Sequence, residues 1–255
     1  MKRTTVKIFM VILSFVTVFC ILFGLWLHTG IFGEASLEAE VKTVDLEGEI
    51  SNINIDMDAC DFSIVYGDGL YAEYKYPKNY YPKFEVKDDT LFITDESKTR
   101  LGFNTNNAFK LTLTVPENTE FGTIKGDLDA GNIELNDIVC DELKVDADAG
   151  NIEFDNIKAE KMKLTADAGN IELNDITADY MVAAVDLGNI ELHNVDIPLI
   201  EAGVDLGNIE FDGIFDKIDA TCSLGNISVE TEQDEDDLDL NLECTGNVQV
   251  NGKKW

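Results

Sequence analysis

From about residue 50 onward, apolar and polar residues alternate along the chain, and the alternating block itself recurs. In Leu143-Lys144-Val145-Asp146-Ala147-Asp148-Ala149-Gly150-Asn151-Ile152-Glu153-Phe154, apolar side chains take every second place on both sides of a Gly-Asn pair. That is the period of strands that bury one face. The pair returns at Gly131-Asn132, Gly150-Asn151, Gly169-Asn170, Gly188-Asn189, Gly207-Asn208, Gly225-Asn226 and Gly246-Asn247, in steps of 19, 19, 19, 19, 18 and 21 residues. Aligned on it, three columns are uniformly apolar: Ile124, Leu143, Met162, Met181, Ile200 and Ile218; Ile133, Ile152, Ile171, Ile190, Ile209 and Ile227; Leu135, Phe154, Leu173, Leu192, Phe211 and Val229. A fixed period near 20 residues is the signature of a solenoid, in which each coil is buried only by its neighbours. The pattern predicts an all-β fold, a β-solenoid of roughly 19-residue coils, with two strands of about seven residues per coil joined by tight corners.

Gly-Asn suits such a corner, because Gly adopts positive φ freely and Asn tolerates the left-handed region. Asn side chains stacked about 4.8 Å apart can also hydrogen-bond from coil to coil. The residue before Gly changes from Ala130, Ala149 and Ala168 to Leu187, Leu206 and Leu224, which predicts a core that widens toward the C-terminus. The repeat also reaches backward. Ile53 to Ile64 superposes on Leu143 to Phe154, with Cys60-Asp61 in the place of Gly-Asn, and reads as a degenerate first coil or sheet edge. Between it and the array lie a Tyr-rich strand (Leu70 to Tyr76), a hairpin about Asp88-Asp89 (Lys83 to Thr94) and a strand from Phe109 to Val115. Terminal units of solenoids are atypical because they must cover an open core. Residues 41–123 therefore read as an N-terminal β cap and 124–255 as the regular array.

The chain before this region is of another kind. Ile8 to Gly33 contains no Asp, Glu, Lys or Arg, and about 20 apolar residues suffice to cross a bilayer. Lys2, Arg3 and Lys7 precede it, and Glu34, Glu38 and Glu40 follow. The excess of cations on the N-terminal side predicts a cytoplasmic tail (1–7), a single transmembrane helix (8–30) and an extracytoplasmic C-terminal domain at the cell membrane. A cleaved signal peptide is the alternative; the length of the apolar run and the lack of an A-x-A site favour the anchor.

The formal charge of −31 makes nucleic acid and anionic membrane surfaces poor partners, since both demand cationic contacts. The acids are also ordered. Asp129, Asp148, Asp167, Asp186 and Asp205 recur two residues before Gly, and Glu134, Glu153, Glu172, Glu191 and Glu210 two residues after Asn. Stacked carboxylates about 5 Å apart repel by roughly 0.8 kcal/mol per pair in water. Salt, Lys144 and Lys163, or bound cations would relieve this. Asp148, Asp167, Asp186, Glu153, Glu172 and Glu191 are thus candidate Ca²⁺ ligands, Ca²⁺ taking six to eight oxygens, beside the reading of a solvated acidic face. The Ca²⁺-binding nonapeptide of known solenoids is absent. The run Glu230 to Asp239, with seven acids in ten residues, reads as a solvated insertion.

Tyr71, Tyr74, Tyr76, Tyr80 and Tyr81 crowd one short segment with Lys75, Lys78 and Lys83. They are candidate contacts for a protein or sugar partner, against the plainer reading that aromatic residues favour strands. Cys60, Cys140, Cys222 and Cys244 show no C-x-x-C spacing and read as buried thiols, with Cys222 and Cys244 able to neighbour each other on successive coils. His28 and His193 are the only histidines, so no His-based nucleophile or zinc set assembles. Acid pairs such as Asp146 and Asp148 recur in coil after coil, which makes them architectural. The sequence predicts no enzyme.

The order of a membrane-anchor segment, "ISNINIDMDACDFSIVYGD", "FKLTLTVPENTEF" and repeated "DAGNIELNDI" resembles the LiaG-like putative adhesins of bacterial envelopes, a β-rich family of unknown function, over roughly Val41 to Val250. The resemblance implies a surface or envelope-stress role and transfers no catalytic residue. Three function classes follow: an anchored adhesin-like module binding an envelope protein or polysaccharide, a Ca²⁺-responsive accessory or sensor of envelope-stress signalling, and, least supported, a carbohydrate-active enzyme.

Overall fold

A computed structural model describes residues 39–78, 80–95 and 109–255. The cytoplasmic tail and transmembrane helix expected over 1–30 lie outside the described residues. Within them the protein is all-β, a β-solenoid, with one 3₁₀ turn at Glu235–Asp237 and no α-helix.

The N-terminal part comprises β1 (Ala39–Asp45), β2 (Asn52–Met57), β3 (Asp61–Gly67), β4 (Tyr71–Pro77), β5 (Lys83–Lys87), β6 (Thr90–Thr94) and β7 (Lys110–Pro116). The array follows as β8 (Phe121–Leu128), β9 (Ile133–Asn136), β10 (Val139–Ala149), β11 (Ile152–Asp155), β12 (Lys158–Ala168), β13 (Ile171–Asn174), β14 (Thr177–Leu187), β15 (Ile190–Asp196), β16 (Leu199–Ile214) and β17 (Lys217–Glu230). Beyond the acidic insertion come β18 (Asp239–Cys244), β19 (Asn247–Val250) and β20 (Lys253–Lys254).

All pairings within the array are parallel and, apart from one irregularity between β15 and β16, in register, coil on coil: Leu143 pairs with Ile124 and Met162, and Ile152 with Ile133 and Ile171. The columns read from the sequence are the core, with Leu143, Ile152, Leu164, Ile171 and Leu173 buried. β2 and β3 form a true first coil, Ile53 stacking on Ile124 and Phe62 on Ile133. On its far side β6 and β7 add one more parallel layer. Antiparallel strands then end the stack, β5 on β6 and β4 on β7, with β1 outside β4. The β5–β6 hairpin turns at Asp88 and Asp89, whose φ values of 49° and 56° are those of a tight hairpin turn that follows strand twist.

The coils differ from the expected pair of seven-residue strands. The earlier coils have a long strand and a short one, such as β12 of 11 residues and β13 of 4, and in β16 and β17 a single strand of 16 and 14 residues runs through the corner. Three inward runs line the core: Met162-Leu164-Ala166, Ile171-Leu173 and Ile176-Ala178. Outward residues at Asp167 to Asn170, at Asn174-Asp175 and at Asp179-Tyr180 separate them, so the chain turns three times per coil. The 18-residue step is absorbed by an irregularity in register between β15 and β16, past Leu192.

The core does not widen toward the C-terminus. Leu187, Leu206 and Leu224 are 52%, 45% and 61% exposed. Strand alternation breaks at the corner, where successive residues all point outward, so a leucine there faces water.

Candidate functional site

The Gly-Asn corners form one continuous ladder. The Asn151 N–H donates to Asn132 Oδ1 at 2.8 Å, Asn170 to Asn151 at 3.0 Å, Asn189 to Asn170 and Asn208 to Asn189 at 2.9 Å, Asn226 to Asn208 at 3.1 Å and Asn247 to Asn226 at 3.2 Å. Asp61 of the first coil starts it, accepting from the Asn132 N–H at 3.1 Å. Asn is thus selected because its side-chain oxygen satisfies the next coil's amide, not because it takes a left-handed backbone. Besides positive φ, the corner demands close approach: a Cβ on Gly169 would overlap the carbonyl oxygen of Gly150, and one on Gly188 that of Gly169. Gly169 does this without a positive φ, so the strain expected there is steric rather than torsional.

Gly131, Gly150, Gly188, Gly207 and Gly225 take the positive φ expected of this corner, and the non-glycine residues of positive φ sit at a different one. Asp137, Asn156, Asp175 and Asn194 have φ of 61°, 52°, 55° and 54°. The Asn156 amide donates to Asp137 Oδ1 at 2.6 Å, and Asn194 to Asp175. Their signal is an Asn or Asp six residues after Gly131, Gly150, Gly169 and Gly188, the types that best tolerate this region.

The predicted acidic rows are real stacks. Glu153 pairs in register with Glu134 and Glu172, and Glu172 with Glu191. Asp148, Asp167 and Asp186 are exposed at the other side of the Gly-Asn corner. Part of the glutamate charge is met locally: Asn151 Nδ2 donates to Glu153 Oε1 at 3.2 Å, and Asn189 Nδ2 to Glu191 Oε1 at 3.3 Å. Among the described residues no three His, Cys, Asp or Glu side chains converge to hold a metal ion. A third stack went unread, because it joins strands remote in sequence: Asp56, Asp127 and Asp146 lie in register across β2, β8 and β10. Partial burial, then Asp146 and Asp56, raise the Asp127 pKa. Desolvation likewise pushes Asp95 up to about 6, although the Asp58 N–H donates to its Oδ2 at 2.9 Å.

The tyrosines divide. Tyr74 and Tyr76 are buried. Tyr76 packs edge-on against Phe109 at 5.1 Å between ring centroids, and its hydroxyl donates to the Ala59 carbonyl at 3.1 Å. Tyr74 meets Tyr81 at 5.7 Å and Phe84 at 5.9 Å. These two therefore build the cap and have no face to offer a partner. Tyr71, Tyr80 and Tyr81 are half-exposed, and Tyr81 is itself engaged, donating to Glu40 Oε2 at 2.6 Å beneath Lys42 Nζ, which lies 3.8 Å from its ring centre.

Cys60, Cys140 and Cys222 are buried and Cys244 half-buried. Burial pushes the Cys60 and Cys140 thiols up to about 12 and, with Cys244 adjoining, Cys222 to about 11. All three are protonated at neutral pH and poor nucleophiles. Cys222 and Cys244 do stand in register on β17 and β18. What the described surface offers is a set of ladders running from coil to coil.

Residues 50–254 match the sequence family Toastrack DUF4097. The chain belongs to that family. Solved structures share the Toastrack fold. A putative adhesin of Bacteroides fragilis superposes with a TM-score of 0.60 at 18% identity, over 83% of this chain and 95% of that one. A putative lipid binding protein of Parabacteroides distasonis gives 0.54 at 18% identity, over 84% and 96%. At such identity the likeness is one of fold. None of the curated proteins matches this sequence.

Proposed function

We propose that this Toastrack protein is a membrane-anchored, extracytoplasmic interaction module of the bacterial cell envelope, non-catalytic and LiaG-like in role. One observation carries the reading: the outward chemistry is arranged in ladders that run from coil to coil, such as the glutamates stacked through β11, β13 and β15. Repetition at coil spacing suits an extended partner, whereas catalysis needs unlike groups converging on one atom. The charge-free run from Ile8 to Gly33, with Lys2, Arg3 and Lys7 before it, supports the anchor and its orientation. The neighbours described as putative adhesins lend the same direction at the level of fold.

The test is cross-linking in intact cells followed by capture of the full-length chain, with and without Ca²⁺, alongside membrane fractionation and external protease. The expected result is a membrane-bound chain, trimmed from outside, that brings down a discrete envelope component. A soluble cytoplasmic chain, or release of sugars from wall polymers by the purified protein, would overturn it.

A further inference from the structure

Leu187, Leu206 and Leu224 stand in register on β14, β16 and β17, about half exposed. The same corner place in earlier coils holds Ala149 and Ala168, in register beneath Leu187. Alanine therefore builds this corner, and neither the core nor the Asn ladder requires leucine there. Three adjoining leucines in water form an apolar ridge of the kind that marks interaction sites. In the last coil the ridge stops, because Cys244-Thr245-Gly246 is one residue shorter than Cys222-Ser223-Leu224-Gly225.

The flanks of the ridge are acidic. Asp186 and Asp205 run along one side and the in-register pair Glu191 and Glu210 along the other. The cations that could balance them end where the leucines begin. Lys125, Lys144 and Lys163 form a column on the long strands, continued by Val182, Glu201 and Asp219. Lys217, on the last ridge strand, is 3.0 Å from Asp239.

We propose that the Leu187–Leu206–Leu224 ridge docks a basic amphipathic α-helix of a partner protein. The inference rests on the interaction-module reading above and gives it a site. Charge fixes the sign of the partner: a second copy of a chain of net −31 or an anionic surface would be repelled. Spacing fixes its form. Coils rise by about 4.8 Å, while an extended strand presents same-side residues about 6.7 Å apart. A helix presents them once per turn, about 5.4 Å, and so keeps step with the ridge across all three leucines. Lysine or arginine beside its apolar stripe then reaches both carboxylate rows, while i, i+3, i+4 and i+7 anchors of the helix meet the leucines.

The probe is a fluorescent, amidated synthetic helix of about 15 residues, long enough to hold helical structure, with one leucine stripe flanked by lysines. A permuted peptide of the same composition lacks the stripe. Anisotropy with the full-length chain should show the striped peptide bound about tenfold more tightly than the permuted one, a difference of about 1.4 kcal/mol. The triple change Leu187→Gln, Leu206→Gln, Leu224→Gln should abolish that preference with an unchanged melting temperature. Asp148→Asn with Asp167→Asn, beside the alanine corners, should leave it intact. Equal binding of both peptides, or a preference that survives the triple change, overturns the proposal in favour of unspecific charge attraction. If the triple variant captures the same envelope component as the unvaried chain, the ridge falls and the module reading stands. If the unvaried chain captures nothing, the module reading falls and the peptide comparison alone decides the ridge.

Discussion

The coils bearing Ala149 and Ala168 and those bearing Leu187, Leu206 and Leu224 share one backbone and present different surfaces. Both stack in register and carry the same Gly contact and the same Asn-to-amide link, at 3.0 Å from Asn170 to Asn151 and at 2.9 Å from Asn208 to Asn189. The first group sets Lys144 and Lys163 beside its aspartates, and the second sets leucine on the corner and ends that lysine column. Inward columns and corners specify the coil, so outward positions are free to vary along the axis, and recognition becomes a matter of which coil is addressed.

The largest effect that would break this division belongs to Gly169→Val. Its side chain must displace the Gly150 carbonyl, a backbone group of the coil below, and such backbone conflicts cost about 4 kcal/mol or more. Circular dichroism should report loss of the folded domain at ambient temperature. Gly203→Val is the matched contrast. A Cβ there meets only Thr221 Oγ1 at 3.6 Å, and valine favours a strand, so stability should hold or rise. Equal damage from both would mean that glycine content, not corner contact, governs the fold.

A smaller effect separates corner from surface. Asn170→Ala removes the acceptor of the Asn189 N–H at 2.9 Å. Because water can partly replace it at this exposed place, the loss should be about 1 kcal/mol in urea titration. Leu206→Gln, on the same corner one coil beyond Asn189, should change stability by less than about 0.5 kcal/mol.

The N-terminal coils also carry the groups that make stability depend on pH. Asp95 is pushed up to about 6, with Asp58 and Asp56 near it, and Asp127 is raised by burial beside Asp146 and Asp56, with Lys125 opposing. A carboxyl whose folded pKa exceeds its unfolded value of about 3.9 binds protons more readily in the native state. Its contribution therefore improves as pH falls through the folded value and is complete only below the unfolded one. Melting temperature should rise from pH 7.5 to pH 5, and the rise should shrink in Asp95→Asn with Asp127→Asn. An undiminished rise would assign the effect to net charge alone.

The array was legible because period, column and corner each leave a mark in one dimension. Cys60-Asp61 marked a first coil or sheet edge, of which the pairing of β2 on β8 selects the coil, and Asp88-Asp89 marked the hairpin. What escaped reading depends on the third dimension. The third inward run, at Ile157 and Ile176, breaks the alternation that defines a strand. Leu187 follows an outward Asp186 without changing sides, so strand parity assigned it to the core. The Asp56–Asp127 neighbourhood joins strands far apart in sequence, and composition could not separate the buried Tyr76 from the half-exposed Tyr80.

The smallest expected effect concerns the two acidic rows, which run through both halves of the comparison. Adjacent like charges at coil spacing cost several tenths of a kcal/mol each even in water, so both rows should respond to cations. A specific ion would have to find several oxygens at one point, and among the described residues no three such groups converge. Asn amides already occupy Glu153 and Glu191. Screening is the mechanism this geometry supports, and screening depends on ionic strength. Millimolar Ca²⁺ should then raise the melting temperature no more than NaCl of matched ionic strength. Asp167→Asn with Glu172→Gln should stabilise the protein slightly in either salt. Binding to the native state alone would add about 2.7 kcal/mol at a hundredfold excess over Kd, far above the screening increment. A Ca²⁺ shift of that size, removed by the double change, would make the rows a calcium site and put the sensor reading ahead of the adhesin-like one.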